Sequence, residues 1–312
     1  MSKHGEKKSR NQDGYSSLAI HEMMLRDRIR TGSYRKAIAR HVKKNDVVLD
    51  LGCGTGILSF FAAQRACRKV YAVEKNPFLL ETSKKAAQIN KLDRKIKFVR
   101  SDIYRLHFEK KIDVLVQEQI GSFLWDEGLL HKVKFIRERF MKKNGRMIPY
   151  KIDLHVVPVN YKTKLENSLS FWSKKIYGLS FKNFMREAFL QNLPRVFHPH
   201  IIHLNSAKSF LADEKLAYSM DLRRDTNIPK KITALFKIRK KSKLTGFCAF
   251  FTVHLDSRHH FSTRPKKVNT HWGQIFIPLF NPLKLRRGSK VQFCLFPKRD
   301  RRKWKIIARL VE

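Results

Sequence analysis

The chain has 312 residues, 42% of them hydrophobic, enough to bury one large core or two smaller ones. Lys and Arg number 67 against 26 Asp and Glu, a formal net charge of +41 that favours anionic partners such as RNA, ribosomes or acidic proteins. No apolar run reaches the roughly eighteen residues that a membrane-spanning helix needs. Cys53, Cys67, Cys248 and Cys294 form no CxxC pair and no metal-ligand spacing, which fits free thiols in a reducing compartment.

Residues 1–14 are basic and lack the apolar segment of a secretory signal, so they read as a disordered tail. Ser16–Arg30 carries Leu18, Met23, Met24 and Ile29 between charges, a helical pattern that Ser33–His41 continues. Strands and helices then alternate: strand Val47–Leu51, helix Ile57–Arg65, strand Lys69–Val73, helix Leu79–Asn90, strands Ile96–Arg100 and Ile112–Gln117, helix Leu129–Phe140. Such alternation predicts a parallel sheet with both faces covered, closed by a turn at Gly145 and by Pro149. Beyond Pro149 the pattern turns to antiparallel β: Asp153–Val159, Thr233–Ile238, Gly246–Leu255, Gln274–Leu279, Val291–Phe296 and Lys305–Leu310. One helical excursion interrupts it, at about Leu165–Leu193, rich in Phe, Trp, Tyr and Leu.

Two stretches carry chemistry. In Val47–Ser59, VVLDLGCGTGILS, an apolar run ends at Asp50, and Gly52, Gly54 and Gly56 follow at alternate positions before a helix. Glycine admits positive φ and lets a ligand approach the backbone, so this is a nucleotide-cradling turn. The next strand ends in Glu74, placed to accept hydrogen bonds from two ribose hydroxyls. A dinucleotide fingerprint keeps two residues between its second and third glycines. Here there is one, and the tight form resembles the S-adenosylmethionine loop of class I methyltransferases. In Val114–Leu130, VLVQEQIGSFLWDEGLL, Glu118 follows a buried strand and Glu127 lies across a turn allowed by Gly121. Two carboxylates in one cavity match the fork of a guanidinium. On spacing alone, a structural cap at Glu118 and a helix start at Glu127 remain open.

With these motifs the chain resembles the protein arginine methyltransferases from about Tyr15 to its end. IHEMMLRDRIRT (Ile20–Thr31) is similar to the family's cofactor-covering helix, VVLDLGCGTGIL to its motif I, YAVEKN to its post-I acid, and QEQIGSFLWDE to its double-Glu hairpin. NTHWGQ (Asn269–Gln274), with FSTRP before it, resembles its Thr-His-Trp loop. Gln119 departs from the pattern, because an aromatic or apolar residue usually follows the first Glu. Asn11 stands where the first of two family tyrosines is expected, and Ile103 stands where much of the family has a Glu that meets adenine, with Asp102 one position earlier.

The resemblance implies a fold, an α/β Rossmann-like methyltransferase domain followed by an antiparallel β-barrel domain with a helical dimerisation arm. The implied division is a tail at 1–14, covering helices at 15–45, the Rossmann-like domain at 46–149 and the barrel at 150–312, with the arm at about 165–193. It implies S-adenosyl-L-methionine as cofactor, held by His21, Met24, Arg30, Gly52, Gly54, Gly56, Glu74 and Asp102. It implies Glu118 and Glu127 as the clamp on a substrate arginine, with His271 near Asp27 ordering the pocket, and no metal. The expected partners are a protein presenting arginine, a second copy of the chain in a homodimer, and an accessory RNA or other polyanion on the basic surface, with no membrane. The expected location is cytoplasmic, or nuclear in a eukaryote. The alternatives are a class I enzyme acting on RNA or another amine, and a catalytically silent binding protein of the same fold.

Overall fold

The computed structural model describes residues 17–121, 123–125, 128–162, 164–266, 270–298, 300 and 303–311. The expected tail, Tyr15, Glu127 and Asn269 lie outside them. Two helices come first, α1 (Leu18–Arg26) and α2 (Arg28–His41). The apolar pattern runs unbroken to Arg30, but the structure breaks it at Asp27 (φ −72°, ψ 84°). The Asp27 carboxylate accepts from the Arg30 backbone N–H at 2.9 Å. A side chain that satisfies an orphan N–H and faces the positive end of a helix overrides the continuous period.

The alternating segment forms a parallel sheet of order β3-β2-β1-β4-β5. Its strands are β1 (Val47–Leu51), β2 (Lys69–Glu74), β3 (Ile96–Arg100), β4 (Ile112–Gln117) and β5 (Met141–Ile148). Helices α3 (Ile57–Ala63), α4 (Pro77–Ile89) and α5 (Leu129–Arg139) pack against it. Every residue of β1 is buried, as expected of a strand covered on both faces. Gly145 is a correction: it lies inside β5 and makes no closing turn. The β4–β5 register shifts between Ile112 and Val114, so the β5 chain bulges there. A Cβ on Gly145 would meet the Lys142 carbonyl at 3.0 Å, which is why glycine serves the bulge.

The antiparallel half begins with β6 (Lys151–Val159). With β9 (His200–Ile202), β10 (Lys215–Asp221), β12 (Ser242–His254), β13 (His260–Ser262) and β14 (Gln274–Leu285) it makes a sheet of path β10-β6-β12-β14-β9, β13 adding to β12. A second sheet has the order β11 (Ile232–Lys237), β15 (Lys290–Phe296), β16 (Lys305–Val311). Phe247 of β12 packs between Phe236 of β11 and Phe293 of β15, at ring-centroid distances of 6.0 and 4.6 Å, so the two sheets close over one core as a barrel. Strands β9, β10 and β13 carry no clear alternation in sequence. Two have three residues each, and β10 is a sheet edge that needs little apolar surface.

The excursion is α6 (Lys164–Trp172), a hairpin of β7 (Lys175–Ile176) and β8 (Leu179–Ser180), and α7 (Phe184–Phe197). Trp172 stacks on Phe184 at 5.0 Å and closes the unit on itself. Phe171, Phe189 and Leu190 remain exposed, as do Leu179 and Tyr177 at the hairpin.

The two halves share one continuous core. A polar staple adds to it at Asp256, between β12 and β13. Its buried carboxylate accepts from Arg258 N (2.7 Å), His259 N (2.6 Å) and His259 Nδ1 (2.8 Å), and lies 3.1 Å from His41 Nε2 of α2. Burial alone would raise its pKa, but these hydrogen bonds outweigh it and hold the group at about 2. The stability so supplied is present above about pH 4 and is lost as pH falls through about 2. Asp256→Asn is expected to cost about 1–2 kcal/mol at pH 7 and almost nothing near pH 2, as read by denaturant melts at the two pH values.

Candidate active site

The sheet order sets the site. Strand β1 lies between β2 and β4, so the glycine loop after β1, Glu74 ending β2, Asp102 after β3 and Glu118 after β4 emerge at one edge. The strand order reverses between β1 and β4, where open α/β sheets leave a crevice for ligands.

The loop is built only for glycine. Gly52, Gly54 and Gly56 have φ of +73°, +52° and +81°. A Cβ would fall 2.2 Å from Gln119 Nε2 at Gly52, 2.9 Å from the His21 ring at Gly54 and 2.9 Å from the Phe60 ring at Gly56. Glu74 Oε2 accepts from Gly54 N at 3.1 Å, and Oε1 from Lys75 N and Asn76 N at 2.8 and 2.9 Å. The carboxylate is thereby pinned, with acceptor capacity left for hydroxyl donors. Asp102 Oδ1 accepts from Tyr104 N at 3.1 Å, and Lys75 Nζ lies 3.6 Å from Oδ2.

Helices α1 and α2 cover this edge. Arg30, buried in the first turn of α2, donates to Glu118 Oε2 at 2.8 Å and to the Met24 carbonyl at 3.0 Å. Met24 itself is half-buried and His21 is buried. From the barrel, His271 donates its backbone N–H to Asp27 Oδ2 at 3.0 Å and sets its Nδ1 2.9 Å from the same oxygen. Burial pushes the Asp27 pKa up, but the His271 side chain and the Arg30 and His271 backbone N–H groups more than offset this and hold it below the usual carboxylate value. Trp272 Nε1 donates to the Gly121 carbonyl at 2.6 Å and ties the same loop to the acidic hairpin.

The structure thus joins Arg30 with Glu118, Asp27 with His271, and Gly54 with both Glu74 and His21. Other contributors have no signal in spacing. Tyr34, fully buried in α2, donates to the Gln117 carbonyl at 2.9 Å and holds the helix on the end of β4. Asp50, 1% exposed beneath the glycine loop, accepts from Ser59 Oγ at 2.7 Å. A charged residue closing an apolar run was the one available hint for Asp50. Among the described residues, the buried donors Arg30 Nε and Gln117 Nε2 have no hydrogen-bond partner. The positive-φ cradle, the pinned acid and a buried cation with donor capacity to spare fit a ligand that carries a ribose and an anionic end.

Comparison with known proteins agrees. Residues 42–200 match a methyltransferase domain, and residues 151–306 match the arginine methyltransferase oligomerization subdomain. Protein arginine N-methyltransferase 6 of Danio rerio is 31% identical over 302 residues, 92% of this chain and 84% of the relative. The chain belongs to the protein arginine N-methyltransferase family. Protein arginine N-methyltransferase 1 of Caenorhabditis elegans is 30% identical over 290 residues, 89% of this chain and 80% of that protein. Among solved structures, the Trypanosoma brucei PRMT1 enzyme–prozyme heterotetrameric complex with AdoHcy has a TM-score of 0.79 at 25% identity, over 96% of this chain and 94% of that one. Arabidopsis thaliana protein arginine methyltransferase 10 shares the fold at a TM-score of 0.80, with the same two coverages and 24% identity.

In this family member Asp50 titrates unusually. Burial, countered only in part by the Ser59 hydrogen bonds, raises its pKa to about 6, and the charge of Glu74 adds to the rise. The folded state therefore binds the proton more tightly than the unfolded chain, and stability falls as pH rises from about 4 to about 6. Asp50→Asn is expected to remove this slope and to gain up to about 3 kcal/mol relative to the parent between pH 4 and 7. Chemical denaturation across that range measures it; parallel curves for the two proteins would contradict it.

Proposed function

We infer that this chain transfers a methyl group from S-adenosylmethionine to a guanidinium nitrogen of protein arginine. The observation that carries the reading is the Arg30–Glu118 pair beside the glycine loop, a cation for the cofactor's carboxylate sharing one contact with an anion for the substrate. When bound, the cofactor supplies an electrophilic methyl on a sulfonium. Arg30 holds its carboxylate, Glu74 its ribose hydroxyls and Asp102 its adenine amino group. His21 and Met24 wall the site from α1.

Glu118 receives the substrate guanidinium, with Glu127 as the second carboxylate. A pair of fixed anions localises electron density on one nitrogen and stabilises the positive charge that persists through transfer. Arginine's high pKa means it enters as a cation, so a strong base is not needed before attack. Arg30 engages Glu118 through one oxygen, which partly neutralises the carboxylate and holds it in place. Asp27 and His271 position the α1–α2 cover against the barrel. The arm at 164–197, with Phe171, Tyr177 and Leu179 exposed, makes the homodimer. An accessory RNA engages exposed clusters such as Lys230–Lys231, Arg239–Lys241 and Arg286–Arg287, all in the antiparallel half and outside the acidic motif. The enzyme works in the cytoplasm or nucleus.

Three outcomes test the reading. Glu118→Gln keeps the hydrogen bond to Arg30 but loses the charge; turnover on an arginine-rich peptide is expected to fall at least about 100-fold, with S-adenosylhomocysteine affinity changed less than about tenfold. Glu74→Ala should instead weaken S-adenosylhomocysteine by at least about 100-fold in calorimetric titration, since the two charge-assisted hydrogen bonds contribute roughly 1.5–3 kcal/mol each. The paired changes Tyr177→Asp and Leu179→Asp should convert a sedimenting dimer to monomer; a parent that is already monomeric at micromolar concentration would refute the arm's role.

A further inference from the structure

The second barrel sheet turns one face to the core and one to solvent. Ile232, Phe236, Val291, Phe293 and Leu295 are buried, and the alternate positions lie on the other face, where Cys294 alone among the alternate positions of β11 and β15 is also buried. Register places Phe296 opposite Lys305, Gln292 between Leu235 and Arg309, and Lys290 between Lys237 and Val311. Lys231 and Lys305 each hold Nζ 5.9 Å from the centroid of the half-buried Phe296 ring, one from either side. Leu235 is exposed between the charges, and Val311 is exposed beside Lys290 in the end row. None of the three strands carries an Asp or Glu.

We propose that this outer face of β11-β15-β16 is a platform for single-stranded RNA. The proposal rests on the reading of the excess charge as an RNA-binding surface and assigns it one location and one mode. Cations stand at both ends of the face, Lys231 and Lys305 at one and Lys237 and Lys290 at the other. At about 3.3 Å per residue, the six steps from Lys231 to Lys237 span roughly 20 Å, a run of several phosphates. The Phe296 ring lies between Lys231 and Lys305 at the first of these ends, and Leu235 and Ile307 lie between the two ends, a surface on which unpaired bases stack. A duplex hides its bases and an acidic protein has no use for the ring, so the combination selects a flexible single strand. The face belongs to the barrel sheet that carries none of the site residues, so the bound strand can bring a tethered protein substrate without entering the acidic mouth.

Filter binding of the full chain to a labelled single-stranded oligouridylate, from low to high salt, tests this. The parent is expected to bind with a steep salt dependence. Lys231→Gln, Lys237→Gln, Lys305→Gln and Arg309→Gln together should weaken binding at least tenfold and lower the log–log slope by about 3, at roughly 0.7 per phosphate contact. A control that removes four exposed charges from the other domain (Lys84→Gln, Lys85→Gln, Lys91→Gln, Arg94→Gln) should stay within about threefold of the parent. Phe296→Ala should cost about fivefold or more with the slope unchanged, and Phe296→Trp should restore affinity. Peptide methylation is followed in every variant and should not change. If the parent does not bind at all, the reading of the charge fails and the platform with it. A parent that binds while both fourfold variants lose affinity alike overturns the platform alone, since diffuse charge then suffices. Competition by duplex RNA or polyglutamate as effective as by the single strand also overturns it.

Discussion

The buried carboxylate of Asp27 is the point on which the two halves depend. One oxygen caps α2 through Arg30 N; the other takes both the backbone N–H and the ring of His271 from the barrel. An anion at that position is favourable because every group facing it donates, and its low pKa states the same fact. The cap sets where α2 begins, which places Arg30 in the first turn and its guanidinium against Glu118. Barrel, covering helices and acidic hairpin thus meet at this side chain, and the Trp272–Gly121 and Tyr34–Gln117 bonds tie them further.

The parallel sheet supplies the other constraint. Four loops carry the candidate site, and they meet because β1 sits between β2 and β4 with all strands running the same way. Tyr34, bonded to the Gln117 carbonyl, holds the covering helix on this edge, while Trp272 bonded to Gly121 draws the barrel loop onto it. The glycine loop is closed from above by His21 and Gln119 and from below by Asp50 and Ser59. Asp50 is charged at a desolvation cost beneath the loop it helps to hold.

Electrostatics divides the molecule by function. The candidate site gathers Glu74, Asp102 and Glu118 on a chain of net charge +41. An acidic mouth in a basic body attracts a cationic side chain at short range while the surrounding surface repels it. The two effects are compatible because the Debye length near physiological salt is about 8 Å, shorter than a domain is wide.

The sequence by itself determined the elements whose signal is local. Strand patterns located β1, β3 and β4 to the residue, the spaced glycines located the ligand-cradling turn, and the change after Pro149 from alternating strands and helices to β-like runs separated a parallel from an antiparallel half. The family resemblance named Arg30, Glu118, Asp27 and His271 from separate motifs, but no spacing shows that they touch. Only the tertiary structure decided that Asp27 breaks the first helix, that Gly145 lies in a bulged strand, and that Tyr34 and Asp50 support the site. Tyr34 and Gly145 are settled by a partner distant in the chain or by the register of a neighbouring strand, and Asp27 combines its local cap on Arg30 with His271 from the barrel. Periodicity reports which face of an element is buried. It carries no information about what lies across from that face, and the chemistry of this site is made across faces.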